Sequence, residues 1–477
     1  MKRSVAAMTA LMLAGCSMAP KYATPELPVP PTWPAGDAYL RQSEAALPTY
    51  SYRDVFTDPR LRAVVDQALA NNQDVRLALA NIEAARAQYR IQRAELLPQV
   101  DATGSYRVSR GTTVQNGNAV GGGGGGVRET FSAQVGVTGW ELDLFGRIQS
   151  LTGAARERFL ASEAAARGTR LTLVSDTAEA WIAYGLDSSL LTIARRTADT
   201  ARESVRLTQR RLDGGVAPRS DLRQAQIVLE TAQADVAEQT TQVAQDLNAL
   251  QLLAGGPIDS AMLPGSIEEA GANLREVPAG LDSTILLRRP DVIEAEFQLR
   301  ATNAEIGAAR AALFPRISLT GLLGFASGAL GSLFQGGNFT WQGGGNAAYP
   351  IFAGGAARAG VKLSEAQRDA ALASYRRAVQ SAFADVSNTL ARRGTIDAQL
   401  RASRAGREAA ADNLRLAELR YRGGVTSFLE NLTARQSLYS AERGLANTER
   451  LRASNLVALY RALGGDPMSD APPQSPR

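Results

Sequence analysis

Carboxylates are the main candidates for chemistry in this sequence. The 477 residues include 47 Asp and Glu, no histidine and a single cysteine, Cys16. Without histidine no serine–histidine or cysteine–histidine relay can form, and one cysteine builds neither a disulfide framework nor a zinc finger. Glu141 and Asp143 could be proposed as paired carboxylates, but their two-residue spacing matches the end of a strand pattern and predicts that both lie on its polar face. We predict no catalytic residue, no cofactor and no metal site.

A run of glycines, Gly121–Gly126, is the other feature that suggests chemistry, because glycine-rich loops can hold phosphate groups. Such loops need a following Lys-Ser or Lys-Thr and a position between a strand and a helix. This run has neither, and it lies between two strand patterns. We therefore predict an external hairpin loop.

Composition excludes some classes of protein and favours long helices. The formal charge of +5 is small for this length, so it does not indicate a nucleic-acid partner. Hydrophobic residues make up 45% of the chain but aromatic residues only 6%. An apolar share of this kind, carried largely by alanine, is typical of closely packed helices.

The first residues predict export to a membrane. Lys2 and Arg3 precede a short apolar stretch, Val5 to Leu13, which is too short to span a bilayer as a helix. Leu13-Ala14-Gly15-Cys16 then has the form of a bacterial lipobox, with Cys16 as the lipid attachment residue. Ser17 favours sorting to the outer membrane. An ordinary signal peptide with a chance cysteine is the alternative.

An internal repeat organises the rest of the chain. Gln-Arg-Ala-Glu-Leu-Leu-Pro at 92–98 is echoed at 309–315, an offset of 217 residues. Arg211 to Val216 recurs as Arg420 to Val425, an offset of 209. The difference falls between these landmarks, where the first copy holds its glycine run. We predict the following division: signal peptide 1–15, lipidated N-terminal tether 16–59, first repeat 60–256, linker 257–282, second repeat 283–465 and disordered tail 466–477.

Each copy contains two strand patterns with a period of two residues. In the first copy the apolar positions are Val100, Ala102, Gly104, Tyr106 and Val108, then Phe131, Ala133, Val135 and Val137. The second copy repeats this pattern less regularly between Ile317 and Ile351. Strands of about ten residues match transmembrane β-strands, although a soluble sandwich also has one apolar face. Four strands cannot close a barrel, and an open edge is excluded from lipid, so membrane insertion requires several chains.

Long helix patterns separate the strands. Residues 60–97 predict a helix that stops at Pro98, and the proline-free stretch from Gly153 to Arg211 predicts one helix of about 90 Å. After each Gly-Gly turn, apolar or small residues recur every three or four positions, as in a coiled coil. A fibrous surface stalk is the alternative, but it would need no strands.

Three further stretches are distinctive: Trp140 to Arg147, Leu287 to Pro315, and Tyr349 to Gly355. They resemble segments of the outer membrane factors, the TolC-like channels, and in particular of the NodT-like lipoprotein branch that serves multidrug efflux pumps. Together with the lipobox and the two Gly-Gly-Val turns, the resemblance covers nearly the whole mature chain.

The resemblance implies a mainly α fold with membrane β-strands. Three chains would contribute four strands each to a 12-stranded outer-membrane barrel, above a periplasmic α-helical barrel of coiled-coil helices. It also implies a passive, non-enzymatic exit duct for drugs and other toxic compounds. The implied partners are a periplasmic adaptor, an inner-membrane RND-type transporter and outer-membrane lipid, and no nucleic acid.

The far ends of the long helices are the predicted gate. The turns that would dock the adaptor are Gly214, Gly215 and Val216 in the first copy and Gly423, Gly424 and Val425 in the second. Asp221 follows the first turn, and the repeat offset places Glu430 at the equivalent position. In three chains these residues would form a ring of up to six carboxylates that attracts cations. Alternatively, Asp221 only stabilises the first turn of a helix capped by Ser220, an explanation that fits Glu430 less well because Glu430 lies further from any expected cap.

The gate residues match the family only in part. Tyr421 corresponds to the family's tyrosine before the turn, whereas its first-copy counterpart is Leu212. Thr433 occupies the family's second acidic position, and Thr426 stands where TolC has an arginine. These departures argue against a TolC-style network of salt bridges between chains.

Two other functions stay open. The chain could be the outer-membrane conduit of a type I secretion system, which the pore sequence does not distinguish from a drug duct. It could also be a structural surface lipoprotein that conducts no ions.

Overall fold

A computed structural model of the chain describes residues 18–34, 36, 38–39, 51–110, 127–275 and 283–465. The predictions for the signal peptide, Cys16, the loop at Gly121–Gly126 and the tail at 466–477 lie outside these residues. The elements are α1 Tyr52–Val55, α2 Pro59–Asn71, α3 Gln73–Ala94, β1 Val100–Arg110, β2 Val127–Glu141, α4 Arg147–Asp213, α5 Arg219–Ala254, α6 Ile267–Ala272, α7 Pro290–Ala311, β3 Arg316–Ser327, β4 Phe339–Ala348, α8 Ala356–Arg422 and α9 Phe428–Ala462.

Two helices of equal length dominate the fold. α4 and α8 have 67 residues each and begin 209 residues apart, at Arg147 and Ala356. At 1.5 Å per residue, each extends for about 100 Å. No proline interrupts either helix. The prediction of one unbroken helix through Gly153 to Arg211 is confirmed.

The prediction of a single helix over 60–97 is wrong, because the chain bends at Asn72. This residue is extended (ψ 137°) between α2 and α3. Its side-chain oxygen accepts a hydrogen bond from the Asp74 N–H at 2.8 Å, and its Nδ2 donates to the Leu253 carbonyl at 3.0 Å. The side chain therefore satisfies the backbone groups that the interruption frees. Leu253 is 181 residues away in the sequence, so a local pattern cannot predict this contact.

The four strands form one antiparallel sheet in the order β1-β2-β3-β4. β2 and β3 pair across the junction of the two repeat copies, with Val137 opposite Gly321 and Trp140 opposite Leu319. A bulge between Val137 and Trp140 shifts this register by one residue. Beyond the strands, the Leu142 N–H donates to the Ile317 carbonyl at 2.8 Å. Within the described residues, β1 and β4 each have one unpaired edge.

The chain divides into two compact units, and each takes residues from both repeat copies. The unit that contains the sheet comprises Met1–Pro25, Glu83–Ala161 and Glu296–Ser374, and the other comprises Glu26–Ile82, Ser162–Ala295 and Tyr375–Arg477. In the second unit, Trp181 is fully buried and its Nε1 donates to the Met262 carbonyl at 3.1 Å. Many of its other buried residues are alanines, which let helices approach closely. No helix among the described residues is long and apolar enough to cross a bilayer.

A carboxylate pair in the second unit makes stability depend on pH. Burial, together with the facing carboxylate of Asp187, raises the pKa of Asp246 to about 7, and Arg450 offsets part of this increase. The folded chain therefore binds a proton that the unfolded chain has released above a pH of about 4. This contribution is present at low pH and is lost as the pH rises through 7.

We expect Asp246→Asn to raise the thermal midpoint at pH 8 relative to the wild type, because the amide carries no charge to repel Asp187. After allowance for solvent screening, the free energy of unfolding at pH 8 should rise by about 1–2 kcal/mol. Melting curves from circular dichroism at pH 5 and pH 8 measure it. Glu238→Gln, an exposed change on the same helix, should leave the pH dependence intact. The prediction would be contradicted if the thermal midpoint of the wild type were no lower at pH 8 than at pH 5.

Candidate functional site: the ends of the two helix hairpins

The two Gly-Gly-Val turns close helix hairpins with the same geometry. The Val216 N–H donates to the Arg211 carbonyl at 2.8 Å, and the Val425 N–H donates to the Arg420 carbonyl at 2.9 Å. The second glycine of each turn has a left-handed backbone, with φ of 70° at Gly215 and 72° at Gly424. These bonds satisfy the last carbonyls of α4 and α8, and glycine adopts the required φ without strain. The turns predicted from the repeat are therefore alike in structure as well as in sequence.

Asp221 and Glu430 occupy equivalent positions three residues into the helices that follow the turns. α5 begins at Arg219 and α9 at Phe428. Both carboxylates therefore lie in a first helical turn, where negative charge is stabilising.

The capping predictions made for these acids are wrong. The residue before α5 is Pro218, which offers no side-chain cap, so Ser220 does not cap Asp221. Glu430 does have a cap nearby, because the Ser427 hydroxyl accepts a hydrogen bond from its N–H at 3.4 Å. Helix stabilisation is thus at least as good an explanation of Glu430 as of Asp221.

The two carboxylates differ in their electrostatic surroundings. Glu430 forms an ion pair with Arg420 at 3.2 Å, and both side chains are about half exposed. Arg420 lies in the last turn of α8, where a cation also complements the helix dipole. Asp221 makes no ion pair with any described residue. Within the described part of the chain, Glu430 therefore has a cationic side-chain partner and Asp221 has none.

Tyr421 connects the ends of the two hairpins. The guanidinium of Arg211, from the first hairpin, lies 4.8 Å from the centre of its ring. Phe428 of α9 packs on the same side chain, with ring centroids 5.8 Å apart. Among the described residues, no hydrogen bond joins Tyr421 to Asp221. The structure brings Tyr421 together with Arg211 and Phe428, and it pairs Glu430 with Arg420. In the part of the chain that the structure describes, Asp221 joins neither of these contacts.

Two residues at this site, Arg211 and Arg420, are not among those predicted from the sequence. They are equivalent in the repeat, at its offset of 209 residues, and each lies in the last turn of a long helix. That shared position was the available signal, because cations are favourable at helix C-termini.

Away from the turns, polar contacts join the hairpins around a cavity of about 680 Å³. The Tyr439 hydroxyl donates to Asp235 Oδ2 at 2.6 Å, from α9 to α5. Arg196 of α4 contacts Glu442 of α9. Burial and the hydrogen bond to Asp235 raise the pKa of Tyr439 to about 12, so the phenol stays a proton donor at neutral pH. Polar contacts therefore join the two hairpins on either side of a cavity that apolar side chains such as Val228, Leu432 and Leu438 also line.

Glu141 and Asp143 have structural partners at the passage from β2 to α4. Arg147 binds both carboxylate oxygens of Glu141, at 2.7 and 2.8 Å. Asp143 accepts a hydrogen bond from the Gln149 N–H at 2.7 Å, in the first turn of α4. Each carboxylate therefore stabilises the start of the helix, and the two do not act as a pair.

Comparisons with known proteins agree with this arrangement. A family model described as outer membrane efflux protein matches residues 64–256 and 281–465. The chain is 43% identical over 463 residues to the toluene efflux pump outer membrane protein TtgC of Pseudomonas putida, covering 96% of this chain and 94% of TtgC. It is 39% identical to the outer membrane protein OprJ of Pseudomonas aeruginosa, covering 96% and 95%.

Solved structures give the same result for the fold. The open state of the MtrE outer membrane channel of Neisseria gonorrhoeae aligns with a TM-score of 0.82 at 35% identity, covering 96% of this chain and 100% of that chain. A membrane protein from Pseudomonas aeruginosa aligns with a TM-score of 0.86 at 37% identity, covering 94% and 98%.

Proposed function

Because the chain belongs to the outer membrane efflux protein family, we propose that it is the exit duct of a tripartite efflux pump. In this role it passively conducts drugs and other small toxic compounds to the exterior. One observation carries the proposal: two 67-residue helices leave the strands of a single antiparallel sheet, one in each repeat copy. A sheet that inserts into a membrane and helices of about 100 Å together provide a route across both the outer membrane and the periplasm.

The sheet requires further copies of the chain. Lipid offers no partner for backbone groups at an open strand edge, and four strands are too few to close a barrel. Three chains with four strands each would form a closed 12-stranded barrel, and their helices would form the walls of a duct below it. We therefore assign a homotrimer.

Lipid attachment at Cys16 would anchor the N-terminus to the outer membrane. The residues that follow support this role, because they are bound to α7 just before the chain enters β3. Asn303 Nδ2 donates to the Pro20 carbonyl at 2.8 Å, and the Tyr22 hydroxyl donates to Glu296 at 3.2 Å. The guanidinium of Arg300 lies 5.0 Å from the centre of the Tyr22 ring.

The hairpin ends would serve as both gate and docking site. The turns at Gly214–Val216 and Gly423–Val425 would contact a periplasmic adaptor, which links the duct to an inner-membrane RND-type transporter. Asp221, Glu430 and Tyr421 would line the constriction, and separation of the hairpins would open it. The transporter supplies the energy, so this chain needs no catalytic residue of its own.

Deleting the gene should make the cell more susceptible to toxic compounds by several twofold dilution steps. A plasmid carrying the wild-type gene should restore resistance, and susceptibility to a compound that is not exported serves as the control. Unchanged susceptibility together with loss of a secreted protein would favour the type I secretion conduit. A purified chain that gives no ion conductance in planar bilayers would favour a structural lipoprotein.

A further inference from the structure

Within the described residues, β1 and β4 each have one unpaired edge. In the internal repeat β4 is equivalent to β2 and β1 is equivalent to β3, and β2 pairs with β3 in the structure. We infer that β4 of one chain pairs with β1 of the next in a register that sets Asn346 opposite Ser105. The inference rests on the proposed trimer and adds the residue-by-residue register of this β4–β1 pairing between chains, which is called the seam below. The pore wall is incomplete without this pairing.

The repeat assigns an equivalent to each strand residue. β1 and β3 correspond at an offset of 217, so Val100 matches Ile317 and the apolar positions of both strands coincide. Within the hairpins, Val100 lies opposite Val137 and Ile317 lies opposite Ala347. Val137 and Ala347 are therefore equivalent, which fixes the correspondence between β2 and β4.

The observed β2–β3 pairing can then be transferred to the seam. Gly136 lies opposite Leu322. Asn346 is equivalent to Gly136 and Ser105 to Leu322, so Asn346 of one chain should lie opposite Ser105 of the next. Similarly, Gln134 lies opposite Gly324, and the equivalents are Gly344 and Arg107.

The seam has the same register at its other end. Trp140 lies opposite Leu319, and the equivalents are Tyr349 and Ala102. The repeat offset is 210 residues from Val137 to Ala347 but 209 residues beyond the bulge, as between the helix starts Arg147 and Ala356. β4 therefore lacks the extra residue that forms the bulge in β2. A single register, without a bulge, therefore serves the whole seam.

The two faces of the sheet support this register. It sets apolar Ala347 opposite Gly104 and polar Asn346 opposite Ser105, so each face continues across the seam. A slip of one residue would bring the apolar face of one strand onto the polar face of the other. A slip of two residues would preserve the faces, so only an experiment on individual pairs separates it from the proposed register.

Exposed apolar residues lie where the seam would cover them. In the first copy, the Leu142 N–H bonds to the Ile317 carbonyl, and the equivalent seam bond joins Ile351 to Val100. In the single chain, the exposed fractions are 95% for Ile351, 90% for Phe352, 66% for Val100 and 70% for Leu97. Pro350 is tolerated between them. Its equivalent, Glu141, precedes Leu142, whose N–H points to β3; because neighbouring N–H groups of a strand point to opposite sides, the Pro350 position donates no bond to the seam.

Cysteine pairs test the register. Directly opposite residues have Cα atoms about 4.5–5.5 Å apart, within disulfide range, whereas diagonal neighbours lie about 7–8 Å apart and are too distant. Two matched variants, Ser105→Cys/Asn346→Cys and Arg107→Cys/Gly344→Cys, should form dimers and covalent trimers on a non-reducing denaturing gel after oxidation. The decoys Ser105→Cys/Gly344→Cys and Arg107→Cys/Asn346→Cys use the same four positions and should stay monomeric. Single-cysteine variants should also stay monomeric, which excludes linkage through Cys16.

Each other outcome identifies what is wrong. If one decoy linked more efficiently than the matched pairs, the register would be shifted by two residues. The decoy that links shows the direction of the shift. Variants that conduct ions in planar bilayers but never link would exclude the β4–β1 seam while leaving the proposed duct intact. If the wild-type chain itself conducts no ions, the proposed function fails instead of the register.

Discussion

Replacing both Asp221 and Glu430 by alanine is expected to raise single-channel conductance several-fold and to reduce the preference for cations. In a trimer the two residues would contribute up to six carboxylates to one constriction, and such a ring attracts cations and holds back anions. Alanine side chains are shorter and cannot form the Glu430–Arg420 ion pair, so the opening should widen and the total current should rise even though cation preference falls. Both residues lie in the first turn of a helix, where loss of the charge should cost only about 0.3–1 kcal/mol of stability. The trimer should therefore still assemble, and the conductance change would report on the constriction itself.

The single variants sharpen this prediction. Because Arg420 partly neutralises Glu430 while Asp221 has no ion-pair partner among the described residues, Asp221→Ala should reduce cation preference more than Glu430→Ala. Arg420→Gln should increase that preference, since it frees the Glu430 carboxylate. Reversal potentials across a salt gradient in planar bilayers measure these differences. The differences should shrink at about 1 M salt, where the screening length is roughly 3 Å. Unchanged conductance and reversal potential in the double variant would remove both residues from the gate.

Replacing Arg289 by methionine is expected to give the largest loss of stability, about 2–4 kcal/mol. Arg289 is 9% exposed and joins three elements of the second unit. Its guanidinium binds Asp291 of α7 at 2.8 and 3.0 Å, Asp385 of α8 at 3.1 Å and the Ala462 carbonyl of α9 at 2.9 Å. Methionine fills a similar volume but leaves two carboxylates and a helix-terminal carbonyl without this partner. Both carboxylates are 50% exposed, so water recovers part of the loss.

The neighbouring arginine provides a matched control for this change. Arg288 precedes Arg289 directly but is exposed, so Arg288→Met should leave the thermal midpoint unchanged. Melting curves from circular dichroism in detergent compare the two variants with the wild type. Equal midpoints for Arg289→Met and Arg288→Met would show that the Arg289 contacts add no net stability.

The helix ends illustrate how far sequence reasoning reaches. The Gly-Gly-Val turns follow from the repeat and from the left-handed backbone that glycine supplies, so their positions could be predicted. The predicted cap at Ser220 is wrong, because α5 already begins at Arg219, after Pro218. The cap at Ser427 lies at the position equivalent to Pro218, so the first repeat copy gives no indication of it. The contact of Tyr421 with Arg211 depends on how the two hairpins meet, and the ion pair of Glu430 with Arg420 depends on how the two helices of the second hairpin pack together. The domain boundaries, the lipid on Cys16 and the gate role of Asp221 stay predictions.

The sequence alone determined the repeat, the long proline-free helices and the four alternating strands. These features come from residue spacings of two to four positions and from glycine and proline, whose effects on the backbone are local. Only the tertiary structure decided the bend at Asn72, the bulge in β2, the contact between Tyr439 and Asp235 and the cluster around Arg289. Each depends on side chains or strands that are distant in the sequence, where no local period records which groups meet.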